Sequence, residues 1–320
     1  MIRKHSILAL ILLCAFSATV HSAEIPEEWI SSVVYIENVQ KQGAGTGFII
    51  GRPVEEGGTA LFLISNRHVL LPDPADKEEG EGQEAIAHVY FNRIRSDEIA
   101  QTKKTVILRD SSGKLFARAH QNPKVDVAAV YLNPSAFAPE TDGLSELSYI
   151  PEDGLATEAI LRKNFVTEGD RVLVLGFPLN LAGKAQYLPI ARGGVIASYP
   201  LAPFLDGPII LVDSTVVSGS SGSPIFLPRL PYRYVTPDHM TTLHQRKPYL
   251  LGIIAQQFSS KMAIDALEIE DKVAGQISLL NLGIAYKAET IRETINQFGL
   301  SREASTAGPE LPRRKKFQGR

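Results

Sequence analysis

The sequence predicts an all-β protein built as two successive units, and three observations carry that prediction. Short runs rich in Val, Ile, Tyr and Phe recur along the chain, each bounded by Gly, Pro, Asn, Asp or Ser. The second half, from Arg171, repeats the grammar of the first. Between the halves, Pro134–Asn164 is punctuated by Pro and Gly, as a crossing between units should be. No internal period of the solenoid or propeller kind is present.

Taken in order, Trp29–Val39 alternates and is rich in Val, Ile and Tyr, and Gly43–Ile50 is an apolar run opened by glycine, so both read as strands. Pro53–Gly58 supplies turn residues, and Thr59–Ser65 is a short strand of the buried type that ends at Asn66-Arg67-His68. Pro72–Glu84 is acidic and aperiodic, which predicts a solvated loop. Ala85–Ile94 and Thr105–Leu108 read as strands, with Asp110-Ser111-Ser112-Gly113 as a hairpin turn before Leu115–Ala119. Val125–Leu132 follows. In the second half, strands are expected at Arg171–Gly176, Tyr187–Ala197, Ile209–Asp213, Ser223–Leu227, Tyr249–Gln257 and Gln276–Tyr286. Helices are expected only at Met262–Val273 and Ala288–Phe298, where Ile291, Ile295 and Phe298 share one face.

With 320 residues, the chain has room for one two-barrel β unit of roughly 200–250 residues plus short appendages. An apolar fraction of 44% and a charged fraction of 21% suit a globular protein with a buried core. A net charge of −2 creates no basic field to gather nucleic acid, and no nucleic-acid partner is expected. Residues 1–23 read as a secretory signal peptide: Arg3 and Lys4 precede an apolar run from Ile7 to Phe16, and small or polar residues follow to Ala23. The run is shorter than the roughly 20 residues of a spanning helix, so membrane contact is expected only if this segment stays uncleaved. Cys14 is the only cysteine. The mature chain therefore has no disulfide or thiol chemistry, which favours the bacterial periplasm or exterior. Residues 299–320 are polar and end in a basic run at Arg313-Arg314-Lys315-Lys316, so a disordered tail is expected.

Candidate chemistry lies in three segments. His68 stands in Leu63-Ile64-Ser65-Asn66-Arg67-His68-Val69, preceded by Gly45-Thr46-Gly47-Phe48-Ile49. Asp126 opens Val125-Asp126-Val127-Ala128-Ala129-Val130; its competitor Asp110 is explained by its turn. Ser221 stands in Val212-Asp213-Ser214-Thr215-Val216-Val217-Ser218-Gly219-Ser220-Ser221-Gly222-Ser223-Pro224. A serine hydroxyl needs an adjacent base to act as a nucleophile, and a tetrahedral oxyanion needs converging N–H groups. The seven histidines lack ligand spacing, so neither a metal nor a cofactor is expected.

In this chain order the three segments resemble the chymotrypsin/trypsin-like serine proteases, and in particular the bacterial HtrA/Deg protease domain without a PDZ domain. The resemblance runs from about Val33 to Glu289, ending on Asn281-Leu282-Gly283-Ile284-Ala285-Tyr286. It implies a chymotrypsin-like fold of two β-barrels, about 30–135 and about 165–288, with a short C-terminal helix, inside a protease domain of residues 24–298. It also implies a serine endopeptidase that acts on protein or peptide substrates through an acyl-enzyme. In that scheme Asp126 orients His68, His68 is the general base, Ser221 is the nucleophile, and the Gly219 and Ser221 amides form the oxyanion hole. Substrate would add as a strand along Ala255, Gln256 and Gln257. Thr215 and Val216 would line an uncharged specificity pocket, which favours small or medium aliphatic residues over Lys or Arg. Ser223 departs from the family's usual glycine. The matching stretch Leu251–Gln257 has no histidine, so glutamate preference is not expected. An α/β-hydrolase esterase is disfavoured, because Ser223 replaces the last glycine of its elbow and strand–helix alternation is missing. A catalytically inactive binding protein on the same fold stays open.

Overall fold

The computed structural model describes residues 24–55, 57–71, 84–95, 98–138, 147–182, 187–235, 241–257 and 281–301. The elements are α1 (Glu27–Ser31), β1 (Val33–Asn38), β2 (Gly43–Pro53), β3 (Thr59–Ser65), α2 (Arg67–Leu70), β4 (Ala85–Arg95), β5 (Glu98–Arg109), β6 (Ala117–Ala119), β7 (Ala128–Tyr131) and β8 (Ile150–Pro151). They continue as α3 (Glu158–Lys163), β9 (Arg171–Gly176), β10 (Ile190–Ile196), β11 (Ile209–Asp213), β12 (Pro224–Leu227), β13 (Leu230–Val235), β14 (Thr241–Arg246), β15 (Tyr249–Gln257), β16 (Leu282–Lys287) and α4 (Ala288–Asn296).

The strands form two units. The first is an eight-stranded sheet in the order β5-β4-β1-β2-β3-β7-β6, with β8 added in parallel to β2. Its ends approach each other where Leu115 bridges Arg109 and the Phe116 amide donates to Leu108 at 2.9 Å. The sheet thereby curls on itself. The second unit is a closed barrel, β10-β11-β16-β15-β12-β9, and closure removes the exposed strand edges that promote aggregation. The expected chymotrypsin-like double barrel with a short terminal helix is the fold observed.

Period-two geometry explains why several strands read as unbroken apolar runs, since successive side chains of a strand point to opposite faces. In β1, β2 and β3, Val34, Ile36, Ile49 and Leu63 fill the first barrel, while Val33, Tyr35, Phe48, Ile50, Phe62 and Ile64 point into a core shared by the two barrels. In the second barrel, Val172, Val174, Val212 and Ile225 turn inward, and Leu175, Leu211, Phe226 and Ile253 join the shared core. Phe48, Phe62, Phe177 and Phe226 are fully buried, each worth about 1.5–3 kcal/mol relative to exposure. This shared core holds the two barrels together at the seam where the site forms.

Four local outcomes differ from expectation. Trp29 sits in α1, not in a strand: acidic Glu27 and Glu28 occupy the first turn, where the helix dipole favours them, and Trp29 packs on Phe226 at 5.8 Å. His68 lies in α2, one turn past the end of β3. The hairpin β13–β14 and the helix α3, capped by Thr157 Oγ1 on the Ile160 amide, were not anticipated. The terminal helix stops at Asn296, and Leu300, assigned by sequence to the tail, packs against the shared core. The Leu300 carbonyl accepts from Arg52, whose guanidinium also makes a buried bidentate pair with Glu152 at 2.9 and 2.8 Å and donates to Asn296. The predicted helix Met262–Val273, the segment 1–23, residues 72–83 of the acidic loop and the tail beyond 301 lie outside the described residues.

Candidate active site

Asp126, at the entry to β7, reaches across to α2. One carboxylate oxygen accepts from the His68 amide at 3.0 Å, and the other meets His68 Nδ1 at 2.6 Å. The Asn66 side chain donates to the Asp126 carbonyl at 2.7 Å, tying the end of β3 to the same segment. A carboxylate on Nδ1 selects the tautomer with the proton on that nitrogen and leaves Nε2 as a base. The His68 side chain is 51% exposed and that of Asp126 28%, so the pair is open to solvent.

The serine segment lies against this pair across Gly45. A Cβ placed on Gly45 would stand 3.0 Å from Val69, the neighbour of His68, and 3.4 Å from the Ser221 carbonyl. The Ser221 hydroxyl donates to the carbonyl of Ala255 at 3.0 Å, and among the described residues no hydrogen bond joins it to His68. Ala255 is the extra residue of a β-bulge: Ile254 pairs with Ala285 and Gln256 with Ile284, leaving Ala255 without a partner in β16. The bulge re-aims that carbonyl at the serine.

The loop around Ser221 is held from several sides. Gly219 and Gly222 have φ of +83° and +85°, and a Cβ on Gly222 would lie 1.8 Å from the Thr46 carbonyl, so glycine is required there. Thr46 is fully buried and makes four bonds. Its amide donates to Ser221 at 2.9 Å, its hydroxyl donates to the Gly219 carbonyl at 2.9 Å and accepts from Phe177 at 3.1 Å, and its carbonyl accepts from Ser65 at 2.6 Å. The Ser218 carbonyl accepts from Leu179 at 2.6 Å and that of Ser220 from Ser223 at 3.0 Å. Because C=O and N–H are antiparallel in a trans peptide, these two bonds orient the following amides, those of Gly219 and Ser221. Among the described residues neither amide donates to a protein group.

A second support comes from β10. Arg192 donates to the Thr215 carbonyl and, at 3.0 Å, to the hydroxyl of fully buried Ser220, which also accepts from Val217 at 3.3 Å. Burial lowers the Arg192 pKa from its usual value. The departure at Ser223 is accommodated by Gly176: a Cβ there would fall 2.0 Å from the Ser223 hydroxyl.

The structure thus pairs His68 with Asp126, sets Gly45 against both Val69 and the Ser221 carbonyl, and bonds the Ser221 hydroxyl to the Ala255 carbonyl. Gln256 and Gln257 are exposed at the end of β15. Thr215 is exposed, whereas Val216 is 5% exposed and packs in the second barrel. Sequence reasoning missed Thr46 and Arg192. Thr46 stood inside the quoted Gly45-Thr46-Gly47 motif, whereas nothing local marks Arg192.

The molecule thus combines two β-barrel units, an imidazole–carboxylate pair and a glycine-bracketed serine. A family model described as trypsin-like peptidase domain matches residues 45–229, more than half of the chain, and the protein belongs to that family. No curated protein matches. Among solved structures, Deg5 is similar at 14% identity over 91% of this chain and 94% of that one, with a TM-score of 0.43. An inactivated protease paralogue of the scabies mite is similar at 11% identity over 86% of this chain and 98% of that one, with a TM-score of 0.39.

Proposed function

We propose that the protein is a serine endopeptidase that hydrolyses protein or peptide substrates through an acyl-enzyme. The observation that carries this reading is the double contact of the Asp126 carboxylate with the ring and amide of His68, set beside the Ser221 loop. Rotation of the Ser221 hydroxyl from Ala255 toward Nε2 lets His68 take its proton as the oxygen attacks a substrate carbonyl. His68 then returns the proton to the leaving amine, and water repeats the sequence on the acyl-enzyme. The Gly219 and Ser221 amides stabilise the oxyanion, an effect worth on the order of 10²–10³ in kcat per donor. Substrate adds as a strand along Ala255–Gln257, the end of β15 whose Ala255 carbonyl lies at the Ser221 hydroxyl. The uncharged Thr215 favours aliphatic residues at the cleaved position. Export to the periplasm or exterior is part of this proposal and rests on the character of residues 1–23.

A second reading, a binding protein that keeps the fold without turnover, is favoured by one observation: the Ser221 hydroxyl bonds to Ala255 and not to His68. One experiment separates the two. The purified protein and Ser221→Ala are treated with a fluorophosphonate and, separately, with an unfolded protein substrate. The peptidase reading expects labelling and cleavage by the parent and neither by Ser221→Ala. Absence of both in the folded parent refutes it.

A further inference from the structure

The turn that delivers Asp126 to His68 is fastened by a tyrosine of the other barrel. Residues 121–124 are exposed, and the turn closes on itself. The His120 amide donates to the Val127 carbonyl at 2.8 Å, the Val125 amide to the Asn122 carbonyl at 3.0 Å, and the Lys124 amide to the Asn122 side chain at 3.0 Å. From β16, the Tyr286 hydroxyl donates to the Lys124 carbonyl at 2.7 Å, across 162 positions of sequence. We propose that Tyr286 is a positioning residue for the acid of the site: its hydroxyl holds the Asp126 turn of the first barrel in place against the second barrel, which carries the serine.

The place of Tyr286 in the fold supports this role. It pairs in register with Ile253 of β15, two residues before Ala255, whose carbonyl takes the Ser221 hydroxyl. One residue therefore bonds to the acid's turn and belongs to the strand pair beside the serine. The Tyr286 side chain packs in the core shared by the barrels, with the residue 7% exposed, so packing fixes where its hydroxyl lies. Burial raises the Tyr286 pKa against a smaller opposing effect of the Asp126 backbone, which lies at the same hydroxyl. The phenol thus keeps the proton it donates.

The tether is short. Lys124 is two residues before Asp126, and Val125 between them is buried, so a shift of Lys124 passes directly along the backbone. The bonds within the turn fix its shape, whereas the Tyr286 bond fixes its place relative to the other barrel. At 2.6 Å from Nδ1, the Asp126 carboxylate meets a contact whose strength falls steeply with distance and angle. As a role in turnover the inference rests on the peptidase reading; as a statement about the His68–Asp126 bond it stands apart from it.

Tyr286→Phe deletes the one hydroxyl and keeps the ring. Two measurements are made on it beside the parent. Two-bond ¹H–¹⁵N correlation of the imidazoles in alkaline buffer, with His68 assigned by the loss of its signals in His68→Gln, reads which ring nitrogen carries the proton. A carboxylate on Nδ1 holds the Nδ1–H form, so the variant should gain the Nε2–H form. Steady-state kinetics on a peptide substrate should show kcat lowered about tenfold or more with KM little changed. Tyr286→4-aminophenylalanine, which restores a donor at the same ring position, should return both readouts toward the parent. If Tyr286→Phe does not fold, 4-methylphenylalanine, close to tyrosine in size and without a donor, takes its place. An unchanged tautomer ratio in the folded variant overturns the proposal whether or not the parent cleaves substrate, and with an active parent an unchanged kcat overturns it too. A parent that cleaves nothing refutes the peptidase reading alone, and the tautomer comparison still decides whether Tyr286 positions the pair.

Discussion

Replacing Thr46 by valine exchanges a hydroxyl for a methyl group of nearly equal size at a fully buried position that touches both barrels. The backbone bonds to Ser221 and Ser65 survive, whereas the Gly219 carbonyl loses a donor at 2.9 Å and the Phe177 amide an acceptor at 3.1 Å. Each orphaned group costs about 1–3 kcal/mol, so with partial relaxation the loss of stability is about 2–4 kcal/mol, or a fall in Tm on the order of 5–10 °C. Activity should fall further than stability accounts for. The Thr46 hydroxyl holds the carbonyl of Gly219, the residue whose amide is proposed for the oxyanion hole, and in that role a mis-aimed donor costs about 10²–10³ in kcat. Urea unfolding measured beside kcat and KM on a peptide substrate separates the two effects, with Thr46→Ser as the variant that keeps the hydroxyl. Retention of the parent's kcat by a destabilised Thr46→Val would refute the reasoning. It would mean that the Leu179–Ser218 and Ser223–Ser220 bonds alone hold Gly219 in place.

Two further predictions concern the frame around the site. Arg192→Met leaves the Thr215 carbonyl and the Ser220 hydroxyl without their guanidinium donor; kcat should fall about tenfold or more for loss of such charge-assisted bonds with KM little changed, and steady-state kinetics that match the parent would exclude a positioning role. Glu152→Gln removes the charge that the buried Arg52 fork requires, so unfolding should cost about 3–5 kcal/mol less, with most of the loss in the docking of α4; denaturation by urea checks the magnitude, and a change below 1 kcal/mol would show that Asn296 and Leu300 satisfy Arg52 without it.

Much of the framework was legible in the chain itself. Val33–Ile36, Phe48–Ile50 and Phe62–Ile64 announced strands, because a strand packed on both faces needs an apolar residue at every position. Gly219 and Gly222 bracketed Ser221 for a reason that is local: the turn needs positive φ, which glycine adopts at least cost. His68 and Asp126 were legible as candidates, one by the end of a strand and one by the start of another. The hydrogen bond between them spans 58 positions in the sequence, and no spacing rule encodes such a pairing.

What the sequence determined by itself is the set of local conformations: apolar runs that must be strands, glycines that must turn, and a serine placed where the chain bends back. Only the tertiary structure decided which of these groups meet. It brought Thr46 from β2 and Arg192 from β10 under the serine loop, placed the Ala255 bulge so that its carbonyl takes the Ser221 hydroxyl, and turned Val216 into the barrel. The physical reason is that backbone preference and hydrophobic period act over a few residues. The partners of a buried polar group are set by packing between strands far apart in the chain, where each donor and acceptor must find its match.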